Sequence, residues 1–185
     1  TAAADPEKTA RAVGGKLLPL GTIRLPNNGN IAKLPGYAGG LWWVQDFSAA
    51  LPVKLLGRIR PLQGLRVLDL CAAPGGKTAQ LLAAGALVTA VDISAPRLKT
   101  LQANLERLKL AENCEIICAD ALEFLHNFTA QPYDVILLDA PCSATGTLRR
   151  HPELVHIKNL GDVARSAELQ RRFLEASGKA LKPEG

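Results

Sequence analysis

The periodicity of apolar and polar positions divides the chain into an irregular beginning and a regular remainder. Up to residue 45 little repeats beyond a helical stretch at 6–13. Pro19, Pro26 and Pro35, with the cluster Asn27-Asn28-Gly29-Asn30, mark turns there. Thr22-Ile23-Arg24-Leu25 and Leu41-Trp42-Trp43-Val44 predict two short strands. From Asp46, a capping residue, a helix runs to about Gly57 with Phe47, Ala50, Leu51 and Leu55 on one side. An alternation then begins. Apolar runs at 66–70, 87–91, 115–118 and 134–138 predict four strands. Helical patterns at about 77–84, 95–109 and 121–127 fall between them, and a loop over 140–161 leads to a long helix at about 162–181, capped by Asp162. Ser94 caps the second of these helices, Pro96 sits in its first turn, and Leu98, Leu101, Leu105 and Leu108 recur at helical spacing. Strands that are apolar throughout and separated by helices indicate a mostly parallel sheet covered on both faces, a doubly wound α/β fold. The expected division is a linker with a small β element over 1–45 and an α/β core over 46–185.

Composition narrows the class. At 185 residues, 48% hydrophobic and 21% charged, the chain has the make-up of one globular domain. No apolar run reaches the length of a membrane span, and no secretory signal opens the chain. Four scattered cysteines do not make a disulfide scaffold, so a reducing, cytoplasmic setting is expected. There is no methionine, and the last residues, Lys182-Pro183-Glu184-Gly185, read as a turn after a helix. Both observations lead us to expect a fragment. The net charge of +5 is uneven: residues 1–66 carry +6 and residues 67–185 carry −1. A basic leading segment suits a phosphate-rich partner, and equally a solvated surface.

In doubly wound folds ligands bind beyond the carboxyl ends of the strands. The first strand of the alternation ends in Asp69-Leu70-Cys71-Ala72-Ala73-Pro74-Gly75-Gly76-Lys77-Thr78. Small residues let a ligand approach the backbone, and the next helix offers N–H groups to an anion. The end of this stretch fits a P-loop, but Cys71 stands where that motif needs glycine, and the dinucleotide fingerprint is absent. A plain tight turn is the remaining reading. Asp92 closes the second strand, 17 residues after Gly75, where an acid can hold ribose hydroxyls. Asp120 follows the third strand and either caps the next helix or meets an adenine amino group. The fourth strand ends in Asp139-Ala140-Pro141-Cys142-Ser143-Ala144-Thr145-Gly146, a carboxylate and a thiol beside the candidate nucleoside pocket.

These two stretches closely resemble the Sun/Fmu-type RNA 5-methylcytosine methyltransferases, and the small-subunit ribosomal RNA branch in particular. The resemblance extends over about 35–185 and takes in Gly40–Ser48, Arg149-Arg150-His151-Pro152-Glu153 and Leu169-Gln170-Arg171-Arg172. It implies a Rossmann-like fold that binds S-adenosylmethionine. Cys71, Ala72, Ala73, Pro74, Gly75, Gly76 and Lys77 would wrap the methionine and ribose part. Asp92 would hold the ribose, Asp120 the adenine side, Arg97 would also bind the cofactor, and Asp139 would sit near both cofactor and base. The implied partner is RNA, ribosomal RNA in that branch, and no metal or membrane is implied. C5 of cytosine is a poor nucleophile until a thiolate adds at C6. Cys142 matches a catalytic-loop cysteine that attacks the base in related DNA enzymes and releases product in the RNA branch. In that branch a second cysteine, in a Thr-Cys motif after the next strand, attacks. Asp139 is the candidate acid at the pyrimidine N3 edge. A cofactor- or RNA-binding piece without catalysis and a P-loop-like nucleotide enzyme are the alternatives.

Arg149, Arg150 and His151 follow the catalytic loop and are candidates for gripping RNA phosphates. Cys114 and Cys118, four apart on one strand, are expected in the core, and no metal site is expected. Trp42 and Trp43 are expected to pack against the helix from Asp46.

Overall fold

The structure, a computed structural model, describes residues 5–26, 29–149 and 151–185. The chain opens with helix α1 (Pro6–Ala12), capped by Asp5, which accepts from the backbone N–H groups of Glu7 and Lys8. A two-stranded antiparallel ribbon follows, β1 (Lys16–Leu17) and β2 (Ile23–Arg24). The run at 22–25 therefore does form a strand, against a partner the periodicity did not mark. The run at 41–44 does not. It belongs to an irregular strap over 35–46, where Trp42 is buried edge-on against Tyr37 at 5.3 Å and donates to the Pro35 carbonyl. Its own side chains hold the strap down, so it needs no strand partner.

The remainder alternates as predicted: α2 (Phe47–Ile59), β3 (Arg66–Leu70), α3 (Gly76–Ala83), β4 (Leu87–Asp92), α4 (Ala95–Leu108), β5 (Cys114–Cys118), α5 (Ala121–His126), β6 (Val135–Leu138), α6 (Leu154–Ile157) and α7 (Leu160–Ser177). The four main strands are parallel in the order β5-β4-β3-β6. Chain order reverses at β3, so the crevice for a ligand lies at its carboxyl end, beside β6.

The period of two in β3 assigns its residues to two cores. Val67 packs with residues of α2, α3 and α4, among them Val53, Leu81, Leu101 and Leu105. Leu68 and Leu70 pack on the other face with Leu125 of α5 and with Phe173 and Ala176 of α7. Asp69 shares the parity of Val67 and lies fully buried toward α3.

Three expectations need correction. Asp162 does not cap α7. Asn159 does, and Asp162 returns a bond to the Asn159 N–H in a reciprocal capping box. Helix α7 ends at Ser177, because the chain must turn for Leu181 to bridge Tyr133 beside β6. Cys118 is exposed, because β5 is an edge strand, whereas Cys114 packs partly buried on the first core. The loop over 140–161 also contains the short α6 and a single helical turn at Thr145–Thr147.

Two glycines bear on how the strap docks. A Cβ on Gly40 would lie 2.0 Å from the Arg107 carbonyl, so the strap lies directly on α4. A Cβ on Gly57, inside α2, would meet nothing within 4 Å. Gly40→Ala is therefore expected to lower stability by about 1–3 kcal/mol through forced backbone displacement, and Gly57→Ala to raise it by up to about 1 kcal/mol. Urea denaturation of the two variants checks both signs.

Candidate cofactor cleft and catalytic loop

The turn after β3 is shaped by backbone that few residues tolerate. Cys71 has φ +59°, and Gly75 at φ +97° starts α3. A Cβ at Gly75 would come within 2.7 Å of Leu101, so this glycine is required both by its conformation and by the close approach of α4. The unpaired N–H groups of the first turn of α3 then face the space beyond the sheet.

That space is a cleft of about 370 Å³. Cys71, Ala72, Ala73, Pro74, Gly75, Gly76, Lys77 and Asp139 line it, eight residues that the sequence placed in one site. Lys77 Nζ lies 2.5 Å from Asp139 Oδ2, which ties the turn after β3 to the segment after β6. Lys77 is mostly buried and Asp139 is 58% exposed, so the pair sits at the mouth.

Asp69 forms the floor. Its Oδ2 accepts from Thr78 Oγ1 at 2.7 Å, while Oδ1 is buried with no partner among the described residues. Burial pushes its carboxyl up to about 7, against the opposing effects of Thr78 and Lys77. Burial, with Asp92, Asp139 and Asp69 nearby, likewise pushes the half-buried Cys71 thiol up to about 11. Cys71 is therefore a wall of the cleft and not a thiolate.

Asp92 and Arg97 stand behind that wall. Asp92 is almost wholly buried; its Oδ2 accepts from the Ala73 N–H at 3.1 Å and its Oδ1 from the Ser94 N–H at 2.9 Å. Ser94 occupies the cap position of α4, but its side chain makes no capping bond. Arg97 lies 3.4 Å from Asp92 and donates to the Ala73 carbonyl. Both residues thus fix the Ala73 peptide, and neither lines the cleft. Asp120 is exposed and caps α5 through Leu122 and Glu123.

Cys142 is exposed on the loop after Asp139 and is not among the cleft-lining residues. Arg149 is exposed. His151 is exposed and lies 3.1 Å from Glu153. Arg150 lies outside the described residues.

The other wall was not recognised as part of the site. Tyr37, Trp43, Gln45 and Asp46 come from the strap and the start of α2, and Asn104 and Arg107 from α4. Gln45 accepts from Trp43 Nε1, donates to Gln80 Oε1 at 2.8 Å and lies against Gly76. Arg107 stacks on Tyr37 with its guanidinium carbon 4.0 Å from the ring centre, and donates to the Tyr37 and Trp42 carbonyls. Gln45 and Asp46 stand inside the Gly40–Ser48 stretch, which was the available signal. Arg107 carried none.

The donor and acceptor set fits S-adenosylmethionine. Helix N–H groups suit its carboxylate, the unpaired Asp69 oxygen and the Asp139 carboxylate suit its positive groups, and the small residues at 72–76 admit its backbone-hugging chain. Among the described residues no group of three potential ligands could hold a metal ion.

Comparison with known proteins agrees. A family model described as 16S rRNA methyltransferase RsmB/F matches residues 58–185. Ribosomal RNA small subunit methyltransferase B of Vibrio cholerae is 44% identical over 158 residues, 84% of this chain and 35% of the relative. The chain thus spans about a third of the length of that relative. The solved structure of NSun6 from Pyrococcus horikoshii with SFG is 30% identical, with a TM-score of 0.69 over 88% of this chain and 40% of that one. A methyltransferase homologue from the same organism is 27% identical, with a TM-score of 0.82 over all of this chain and 59% of that one. The fold is the Rossmann-like fold of S-adenosylmethionine-dependent methyltransferases, and the comparisons support that cofactor. The glycine turn, the loop after β6 and a match over most of its length together make this chain a member of the RsmB/F family of 16S rRNA methyltransferases.

Proposed function

We propose that the protein transfers a methyl group from S-adenosylmethionine to C5 of a cytosine in ribosomal RNA, through a covalent cysteine–C6 adduct. The observation that carries this reading is the Lys77–Asp139 pair, 2.5 Å across the cleft mouth, which brings a cofactor turn and a catalytic loop to one place. When bound, S-adenosylmethionine supplies an electrophilic methyl group. The residues at 71–77 and Asp69 would hold its amino-acid end, with Asp92 and Arg97 supporting the turn from behind. Asp92 stays the candidate for the ribose, since each of its oxygens accepts one backbone N–H and keeps a further lone pair for a hydroxyl. Asp120 at the carboxyl end of β5 stays the candidate for the adenine side.

Asp139 is the group poised to meet the pyrimidine N3 edge, with Lys77 holding it at the mouth. A thiolate that adds at C6 would leave electron density at C5, which would take the methyl group as its bond to the cofactor's sulfur breaks and S-adenosylhomocysteine is left. A base then takes the C5 proton, and the thiolate leaves as the C5–C6 double bond returns. Cys142 belongs to this step, either as the attacking thiolate or as the residue that frees the product. Arg149, Arg150 and His151 follow it in the chain, the two arginines supplying positive charge and the histidine a ring nitrogen for RNA phosphates. No helix among the described residues is long and apolar enough to cross a membrane, and cytoplasmic ribosomal RNA is the substrate that this reading requires.

Methyl-labelled S-adenosylmethionine with small-subunit ribosomal RNA is expected to place label in 5-methylcytidine; label in another nucleoside, or in none, contradicts the proposal. Cys142→Ser is expected to abolish turnover. A denaturant-stable protein–RNA complex in that variant would assign Cys142 to product release, and no such complex would assign it to attack. Undiminished turnover would remove Cys142 from the mechanism. Asp69 gives a pH signature. Its carboxyl is near 7 in the folded state and near 3.8 as the ordinary value, so between these the folded state binds the extra proton. Stability of the ligand-free protein should fall as pH rises from about 4 to about 7, by at most about 4 kcal/mol, and then level off. Asp69→Asn should flatten that slope in urea titrations, and a slope unchanged in the variant would show that Asp69 is not its source.

A further inference from the structure

Among the described residues, the loop that follows β6 has few polar bonds to the rest of the fold. At its start the Asp139 N–H donates to the Leu70 carbonyl at 3.3 Å, which continues the ladder to β3. Lys77 holds the Asp139 side chain. Beyond that, Ser143 and Thr145 touch each other at 3.3 Å, and Thr147 Oγ1 donates to the Ala144 carbonyl, both contacts internal to the loop. Ala144 itself has φ +58°. The described bond that joins the Pro141-Cys142 peptide to a regular element comes from another part of the chain. Gln170 Nε2, on α7, donates to the Pro141 carbonyl at 3.0 Å across 29 residues of sequence.

The donor stands on a firm base. Helix α7 is pinned to the sheet by Phe173 and Ala176, which are buried with Leu68, Leu70 and Leu125. Phe173 lies three residues from Gln170, almost one turn, so the amide is carried at a fixed height above the core. The bonded carbonyl belongs to the peptide whose N–H is that of Cys142. A hydrogen bond there restricts the rotation that would swing the Cys142 side chain.

We infer that Gln170 is a positioning residue, which fixes the Pro141-Cys142 peptide and with it the direction of the Cys142 side chain on the loop after Asp139. The inference rests on the placement of Cys142 in the catalytic loop under the proposed function. The geometry requires an amide donor at this position. A side chain of equal length without a donor would leave the carbonyl to water, and a carboxylate would repel it.

The test uses Gln170→Met, which keeps length and removes the donor, and Gln170→Glu, which sets an acceptor against the Pro141 carbonyl. Both are expected to leave thermal stability and S-adenosylhomocysteine affinity unchanged. Amide hydrogen exchange at Cys142–Ala144 should quicken about tenfold, as expected from loss of one such bond. In methyl transfer to ribosomal RNA, kcat should fall by a similar factor with KM little changed, and more in the glutamate variant. Exchange and kcat as in the unaltered protein would overturn the inference. So would losses matched by lower stability and cofactor affinity, which would make Gln170 merely structural. Because exchange is read without substrate, it judges Gln170 even if the unaltered protein transfers no methyl group, an outcome that would instead strike the functional proposal.

Discussion

Parallel pairing of β3, β4 and β6 brings three carboxylates to one end of the sheet, and the cost of burying charge there is the constraint around which the site is built. Asp69 lies within β3, Asp92 closes β4 and Asp139 follows β6. Like charges so close cannot all ionise in a dry environment without compensation. Each is answered differently. Asp92 is held by two backbone N–H groups and Arg97. Asp139 stays at the rim, where water and Lys77 offset its charge. Asp69, buried and bonded only through Thr78, is answered by keeping its proton near neutral pH. The result is graded: Asp69 buried on the floor and keeping its proton, Asp92 held by backbone and Arg97 behind the wall, and Asp139 paired with Lys77 at the mouth.

This arrangement separates the residues that shape the cleft from those that face a reactant. The turn after β3 is forced into place by Gly75 against Leu101 and by Asp92 and Arg97 against Ala73, so its small side chains can leave room for a ligand. The strap closes the opposite wall through Gln45 and Arg107. By contrast, Cys142 is exposed on the loop after β6, where α7 contributes one bond, from Gln170 to the Pro141 carbonyl. Under the proposed function, an exposed thiol on a loop beside a rigid cofactor turn suits a step that must both engage and release a large substrate.

Much of this was legible in the sequence because the signals are local. Continuous apolar strands, helical spacing of leucines and a glycine pair after Asp69 mark the sheet and the cleft within windows of a few residues. What stayed hidden depends on contacts distant in sequence. Gln45 meets Gln80 35 residues away and Arg107 meets Tyr37 70 residues away, so neither pairing leaves a local pattern. Trp42-Trp43 read as a strand because their apolarity serves packing in an irregular strap. Cys118 read as core because its place at a sheet edge follows from strand order, which periodicity does not encode. Asp162 was recognised as part of a helix start, but the capping box gives that place to Asn159, three residues earlier. Asp92 was recognised as a site residue on the strength of its position at a strand end; its bonds to the Ala73 and Ser94 N–H groups, which hold the turn after β3, left no local pattern.

The central claim is that the cleft beyond β3 is made for S-adenosylmethionine and its product, and that a triphosphate nucleotide does not belong there. Calorimetric titration with S-adenosylhomocysteine and, separately, with ATP tests it most directly. Saturable one-to-one binding of S-adenosylhomocysteine, weakened by Asp69→Ala and without a measurable response to ATP, is the result the account predicts. Binding of ATP alone would contradict it.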